Sequence, residues 1–268
     1  MAAILCPRCH KLVSADAETC THCGQRKPGL WGATATMRKL GLQIDFPHLI
    51  TLVCGGLYLL SLALDPSVVF EYRGMMEFLS PSLLASFKLG VTGTRPIFEF
   101  GHWWTPITAI YLHGGLLHIF FNMMWVRQLG PIVEDLFGPF RLFAIFTIAG
   151  ITGFVLSTLM GHPFTLGASG SIFGLLAAAI AYGRRTGAQL FTRQFLQWAV
   201  LLFIMGFIFP GVDNWAHGGG FLGGYGAAYL FGRNQEREGL GAYLAGGICL
   251  LATIGAFVLQ FIALLEMP

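Results

Sequence analysis

Residues 142–183 run for 42 positions without an Asp, Glu, Lys or Arg. A bilayer core of about 30 Å takes roughly 20 apolar residues as helix, so this run holds two spans. Gly161-His162-Pro163, near its middle, supplies the turn between them. The same criterion marks Phe46–Leu64, residues 102–126 and residues 239–265 as single spans. Residues 194–232, broken only by Asp213 beside Pro210-Gly211, read as two more. The count is seven. Composition agrees: 55% of residues are hydrophobic and 11% charged, where a soluble domain carries about 25% charged. Mean hydropathy is +0.67. These values exclude a soluble globular domain and a disordered chain. The net charge of +3 is too small for a nucleic-acid binder, and none is expected as a partner. The expected fold class is an all-α polytopic membrane protein with the lipid bilayer as its surroundings.

Orientation follows from the basic residues. With the N-terminus inside, thirteen fall on the cytoplasmic side: Arg8, Lys11, Arg26, Lys27, Arg38, Lys39, Arg127, Arg141, Arg184, Arg185, Arg193, Arg233 and Arg237. Only Arg73, Lys88 and Arg95 fall outside, all in the long first loop, residues 65–101. In that loop Leu83, Leu84 and Phe87 alternate with Ser and Lys88, which fits either an interfacial segment or a solvated loop. The expected location is a bacterial cytoplasmic membrane, N-terminus in and C-terminus out. The first residues hold cysteines where a signal peptide would have an apolar core, so no cleavable signal is expected.

Cys6-Pro-Arg-Cys9 and Cys20-Thr-His-Cys23 form two CxxC pairs ten residues apart. Four thiolates so grouped suit tetrahedral zinc, and a segment this short needs the metal to fold. A reducing cytoplasm argues against disulfides. An unmetallated tail and a redox pair are the other readings. His10 and His22 lie nearby, but the four cysteines already complete the shell. Such a closed site has no open position for catalysis, so its role is structural, or it engages a cytoplasmic partner. The expected organisation is a four-cysteine zinc-ribbon-like segment over 1–27 and a linker over 28–45. Six of the spans follow over 46–232, then the seventh and the C-terminus over 233–268. Cys54 and Cys249 read as apolar packing residues inside spans.

Polar groups inside spans are candidate functional sites. Gly167-Ala168-Ser169-Gly170 opens the fourth span. Ser169 is a candidate nucleophile, though Gly170, Gly174 and Ala178 equally form a small-residue packing stripe. The string is not a GxSxG elbow, because Ser171 stands where the second Gly would be. Asp213-Asn214-Trp215-Ala216-His217 opens the sixth span. His217 reads as a base or a structural His, and Gly220 and Gly224 follow at close-packing spacing. In the second span His118 and Asn122, four apart, share a face that can donate to an oxyanion or bond a neighbouring helix. Topology joins the three places. Spans 2, 4 and 6 all begin at the outer face. A rise of 1.5 Å per residue puts Ser169 and His217 roughly 6–9 Å below it. That is the arrangement in which His withdraws the Ser proton. No acidic residue lies deep enough to be a third member; Asp213 can at most orient the His.

These residues resemble the rhomboid family of intramembrane serine proteases. His113-Gly-Gly-Leu-Leu-His118-Ile-Phe-Phe-Asn122 is similar to its second-helix motif, Gly167-Ala-Ser169-Gly to its GxSG motif, and Ala216-His217-Gly-Gly-Gly220-Phe-Leu-Gly-Gly224 to its AHxxGxxxG motif. Glu134 and Gly138 fit its short loop after helix 2. The resemblance covers about residues 46–232 and implies a six-helix core plus one C-terminal helix. It implies Ser169 as nucleophile, His217 as general base, and an oxyanion hole of His118, Asn122 and the Ser169 N–H. His113 would be structural, Asn214 would support the base, and Gly220 and Gly224 would set the Ser–His distance. It implies transmembrane-protein substrates cut near their outer ends, with no cofactor for catalysis. Two departures stand out: Thr105 replaces an expected Arg in the first loop, and Phe173 takes the place of an aromatic, often Tyr, that stacks on the base. A non-catalytic, client-binding rhomboid-like protein and a transporter are the competing classes. The second would call for an ionisable residue deep in a span.

Overall fold

The computed structural model describes residues 3–6, 11–14, 17–24, 45–68, 78–209, 211–231 and 238–266. The linker placed at 28–45 lies outside them except for Asp45. The first described elements are two three-residue strands, β1 (Ala3–Leu5) and β2 (Leu12–Ser14), paired antiparallel with Leu5 opposite Leu12.

The other elements among the described residues are helical, with short helices α2 (Leu83–Leu89) and α3 (Thr105–Thr108) before the second long helix. The long helices are α1 (Phe46–Leu64), α4 (Leu116–Phe137), α5 (Pro139–Leu159), α6 (Ser169–Thr186), α7 (Gln189–Ile208), α8 (Asn214–Phe231) and α9 (Leu240–Glu266). Local chemistry sets their ends. Asp45 caps α1 by accepting from the His48 N–H at 2.9 Å. Ser82 caps α2 through Ala85, and Gly90 closes it in the left-handed region. Arg184 and Arg185 occupy the last turn of α6, before Gly187 ends it.

The protein is thus an all-α polytopic membrane protein. α1, α5, α7 and α9 are each long and apolar enough to cross a bilayer. α4, taken with the turn before it at a 91° bend, makes a fifth. α6 and α8 fall short of that test: α6 ends in Arg184 and Arg185, and α8 holds six glycines with Asn214 and His217. α6 is buried almost continuously from Gly170 to Ala181 and packs against α4, α5, α7 and α8. A helix surrounded by other helices needs small residues for close approach, not apolar bulk toward lipid. α9 lies on α5 and reaches α2 and α3.

Two expected boundaries need correction. The second span does not begin at residue 102. Residues 102–115 form α3, a 3-10 turn and extended chain, and the long helix starts at Leu116. It then continues past Arg127 to Phe137, carrying Glu134 inside the helix, where a loop residue was expected. Freedom from charge marked an apolar stretch, but Gly114-Gly115 broke it as helix. In the first loop, the described residues include α2 and a π turn at Arg95–Glu99.

Candidate active site

Ser169 is the first residue of α6 and His217 the fourth of α8. The Ser169 Oγ lies 3.0 Å from Nε2 of His217. Nδ1 of His217 lies 3.0 Å from Oδ1 of Asn214, one turn earlier on α8. An amide oxygen only accepts, so Nδ1 carries the ring proton and Nε2 faces the serine hydroxyl as an acceptor. The Phe173 ring stacks on the His217 ring at 4.3 Å and 20°. His217 is therefore fixed on both nitrogens and on one face.

The helix pair is held close by glycine. A Cβ at Gly220 would collide with the backbone carbonyl of Gly170, and one at Gly224 with the backbone of Gly174. Gly170 directly follows Ser169, so this contact sets how near α8 comes to Ser169. Gly206 on α7 has the same relation to the site: a Cβ there would collide with the Asn214 amide. Sequence reading missed Gly206, because nothing near it in the chain points to Asn214.

Matched depth had been expected from helical rise. In fact residues 162–168 are not helical. Thr165 bridges to Thr92 of the first loop, and the Gly167 N–H donates to the Ala109 carbonyl at 2.9 Å. An extended descent delivers Ser169 to the level of His217.

Asp213 makes no hydrogen bond to the His217 ring. Its carboxylate accepts from the Ser157 and Thr165 hydroxyls and, at 3.0 Å, from the Ala216 N–H. It joins α5, the descending segment and the start of α8. His162 Nδ1 lies 3.8 Å from the same carboxylate.

On α4, His118 Nδ1 accepts from the Gly114 N–H at 3.2 Å, which leaves the proton of the neutral ring on Nε2. That Nε2 faces Gly167, whose added Cβ would lie 2.7 Å away; with φ at +126°, only glycine suits the position. Asn122 donates one amide N–H to the His118 carbonyl at 2.8 Å and keeps a second. The His113 ring is fully enclosed, edge-on to His118 at 5.1 Å. Thr105, where the resemblance expects Arg, is buried; its hydroxyl donates to the His102 carbonyl at 2.8 Å and lies 3.1 Å from the Thr92 hydroxyl.

Away from this site, the thiols of Cys6, Cys20 and Cys23 lie within 4.8 Å of one another, with Cys6 and Cys23 Sγ 3.6 Å apart. Cys9 and His10 lie outside the described residues. A tetrahedral zinc with Zn–S near 2.3 Å separates its sulfurs by about 3.8 Å, so the cluster has the size and chemistry for that ion. His22 donates its backbone N–H to Cys20 Sγ at 3.4 Å, the kind of hydrogen bond that supports a thiolate ligand.

A sequence model of the Rhomboid domain matches residues 100–234. RHOMBOID-like protein 5 of Arabidopsis thaliana is 34% identical over 180 residues, covering 60% of this chain and 57% of the relative. Rhomboid protease GluP of Bacillus subtilis (strain 168) is 33% identical over 162 residues, 59% of this chain and 32% of the relative. Putative rhomboid protease YdcA of the same organism is 29% identical over 154 residues, 55% and 77% respectively. The chain spans about half the length of the Arabidopsis relative and a third of GluP. The match takes in α4 to α8, all three motifs and the Ser169–His217 contact, and the chain belongs to the rhomboid family.

Proposed function

We propose that this protein is an intramembrane serine endopeptidase that cleaves transmembrane helices of membrane-protein substrates near their outer ends. The observation that carries the reading is the 3.0 Å approach of Ser169 Oγ to His217 Nε2, with Asn214 on the other ring nitrogen. Relatives named as rhomboid proteases support it.

The chemistry follows from the atoms. Ser169 Oγ attacks the scissile carbonyl carbon while His217 Nε2 takes its proton. The imidazolium is steadied by Asn214 Oδ1 at Nδ1–H, the part that an Asn plays beside Cys and His in papain-like proteases. The tetrahedral oxyanion is met by the Ser169 N–H, one of the unpaired donors at the start of α6, with His118 Nε2–H and the free Asn122 N–H. His217 then gives its proton to the leaving amine, and water repeats the cycle on the acyl-enzyme. No cofactor takes part in these steps.

The basic residues support a cytoplasmic N-terminus, an outward C-terminus and a site opening to the outside, in a bacterial cytoplasmic membrane. Cys6, Cys9, Cys20 and Cys23 hold a structural zinc on the cytoplasmic side, where the segment can meet a partner.

The test is cleavage, in membranes, of a single-span reporter with small residues near its outer end. Wild type should yield product, and Ser169→Ala and His217→Ala none. Equal product from all three would return the chain to the client-binding reading.

A further inference from the structure

α9 is the most apolar of the described membrane-spanning helices, yet it carries Gln260 near its outer end. Gln260 is 3% exposed, while Phe261, Ile262 and Leu265 around it face outward. A buried amide in a membrane helix is retained where it has partners. Gln260 has three, all in the first loop. Its Oε1 accepts from the Trp104 indole N–H at 2.9 Å. Its Nε2 donates to the carbonyls of Phe87 and Lys88, at 3.1 and 3.0 Å, in the last turn of α2, where the Phe87 carbonyl also accepts from the Gly90 N–H at 3.1 Å.

The anchored loop leads to the nucleophile by a continuous path. Thr108 donates to the Gly90 carbonyl at 2.7 Å. Two residues on, Thr92 exchanges backbone hydrogen bonds with Thr165 at 3.1 and 2.7 Å, and the Thr94 N–H donates to the His162 carbonyl at 2.8 Å. Thr165 in turn holds Asp213 at 2.8 Å, at the start of α8, and the segment ends at Ser169. Thr105 spends its hydroxyl inside the loop, and among the described residues Gln260 makes the side-chain hydrogen bonds from α9 to this part of the loop, with the Tyr111 ring packing on Phe257 beyond it.

We propose that Gln260 is a positioning residue through which the seventh helix holds the first loop, and through it the segment that delivers Ser169. The effect on turnover rests on the protease reading; the anchor itself does not.

The experiment compares full-length wild type, Gln260→Leu and Trp104→Phe in one detergent. Hydrogen exchange over residues 86–108 reads the anchor without any activity. The rate and end-point of Ser169 modification by a small fluorophosphonate read the site. In Gln260→Leu, exchange over 86–108 should quicken on the order of tenfold or more, as loss of three buried hydrogen bonds implies, with α5 and α6 unchanged. The modification rate should fall several-fold at an unchanged end-point; a merely structural role would lower the end-point instead. Trp104→Phe removes one bond from the loop side and should give the same pattern at smaller amplitude. It alone decides if Gln260→Leu does not fold. Unchanged exchange overturns the anchor, and faster exchange with an unchanged modification rate overturns the positioning role. If wild type itself is not modified, the protease reading fails and exchange alone judges the anchor.

Discussion

Asn214 and His217 stand one turn apart on α8, and the amide oxygen of the first lies 3.0 Å from Nδ1 of the second. The contact selects the tautomer in which Nε2 is free to accept the Ser169 proton. Asn214→Leu removes the acceptor without adding a charge. It should lower kcat roughly 10- to 100-fold with KM little changed, a smaller loss than when a charged orienting group is replaced. Gly206→Ala should act in the same direction, since its Cβ would displace the Asn214 amide. Reporter cleavage at several substrate concentrations separates the two constants. A pure KM effect would remove Asn214 from the catalytic group.

Gly220 tests the distance between helices. Its backbone touches that of Gly170, so the methyl of Gly220→Ala can be housed only by moving α8 away from α6. The 3.0 Å Ser–His contact opens, and activity should fall by about 10² or more. Gly218, with open space at its Cβ position, is the control: Gly218→Ala should keep near-normal cleavage. Equal loss in both would mean that helix propensity, not approach distance, governs the result.

The oxyanion donors of the proposed mechanism can be ranked. Asn122→Ala should cut kcat by roughly 10²–10³ with binding preserved, the usual loss for one such donor. His118 has its proton aimed at Gly167 by the Gly114 N–H, so His118→Ala should cost at least as much. Unchanged turnover in Asn122→Ala would leave that residue as a link to its own helix turn.

The candidate motifs were legible in the sequence, and so were the seven long helices among the described residues. Ser169, His217 and the two glycines sit in short strings whose spacing follows from helix periodicity. What was not legible depends on distant pairing. The start of the second span was misplaced because residues 102–111 are as free of charge as a span, yet fold back as loop against Thr92 and Gln260. Helical rise was the wrong ruler for residues 162–168, which descend as extended chain. Gly206, Ser157 and Gln260 carry no local signal at all; each matters only through a residue on another element, which for Ser157 and Gln260 is tens of positions away.

The cysteine segment should hold about one zinc per chain, by metal analysis of purified protein. Cys20→Ser with Cys23→Ser should abolish it. Because β1, β2 and the thiols lie outside the helical core in sequence, cleavage in detergent should persist within about twofold. Total loss of cleavage would place the segment in the catalytic machinery.

Glu238, just before α9, gives the protein a pH dependence that does not involve Ser169 or His217. Its carboxylate accepts from the Arg141 N–H at 2.8 Å and packs against Gly138, capping α5 from outside that helix. Burial raises its pKa to about 7, against the opposing pull of the backbone and charge of Arg141. An acid raised in the folded state binds its proton more tightly there than when unfolded. Its contribution is therefore full below about pH 4.5 and declines as pH rises through about 7. Glu238→Gln keeps an acceptor for Arg141 and removes the titration. Unfolding midpoints of the two proteins should coincide near pH 4.5 and diverge toward pH 8, with the variant the more stable. Parallel curves across that range would show that Glu238 is ionised in the fold throughout, with its charge held by Arg141 and the start of α5.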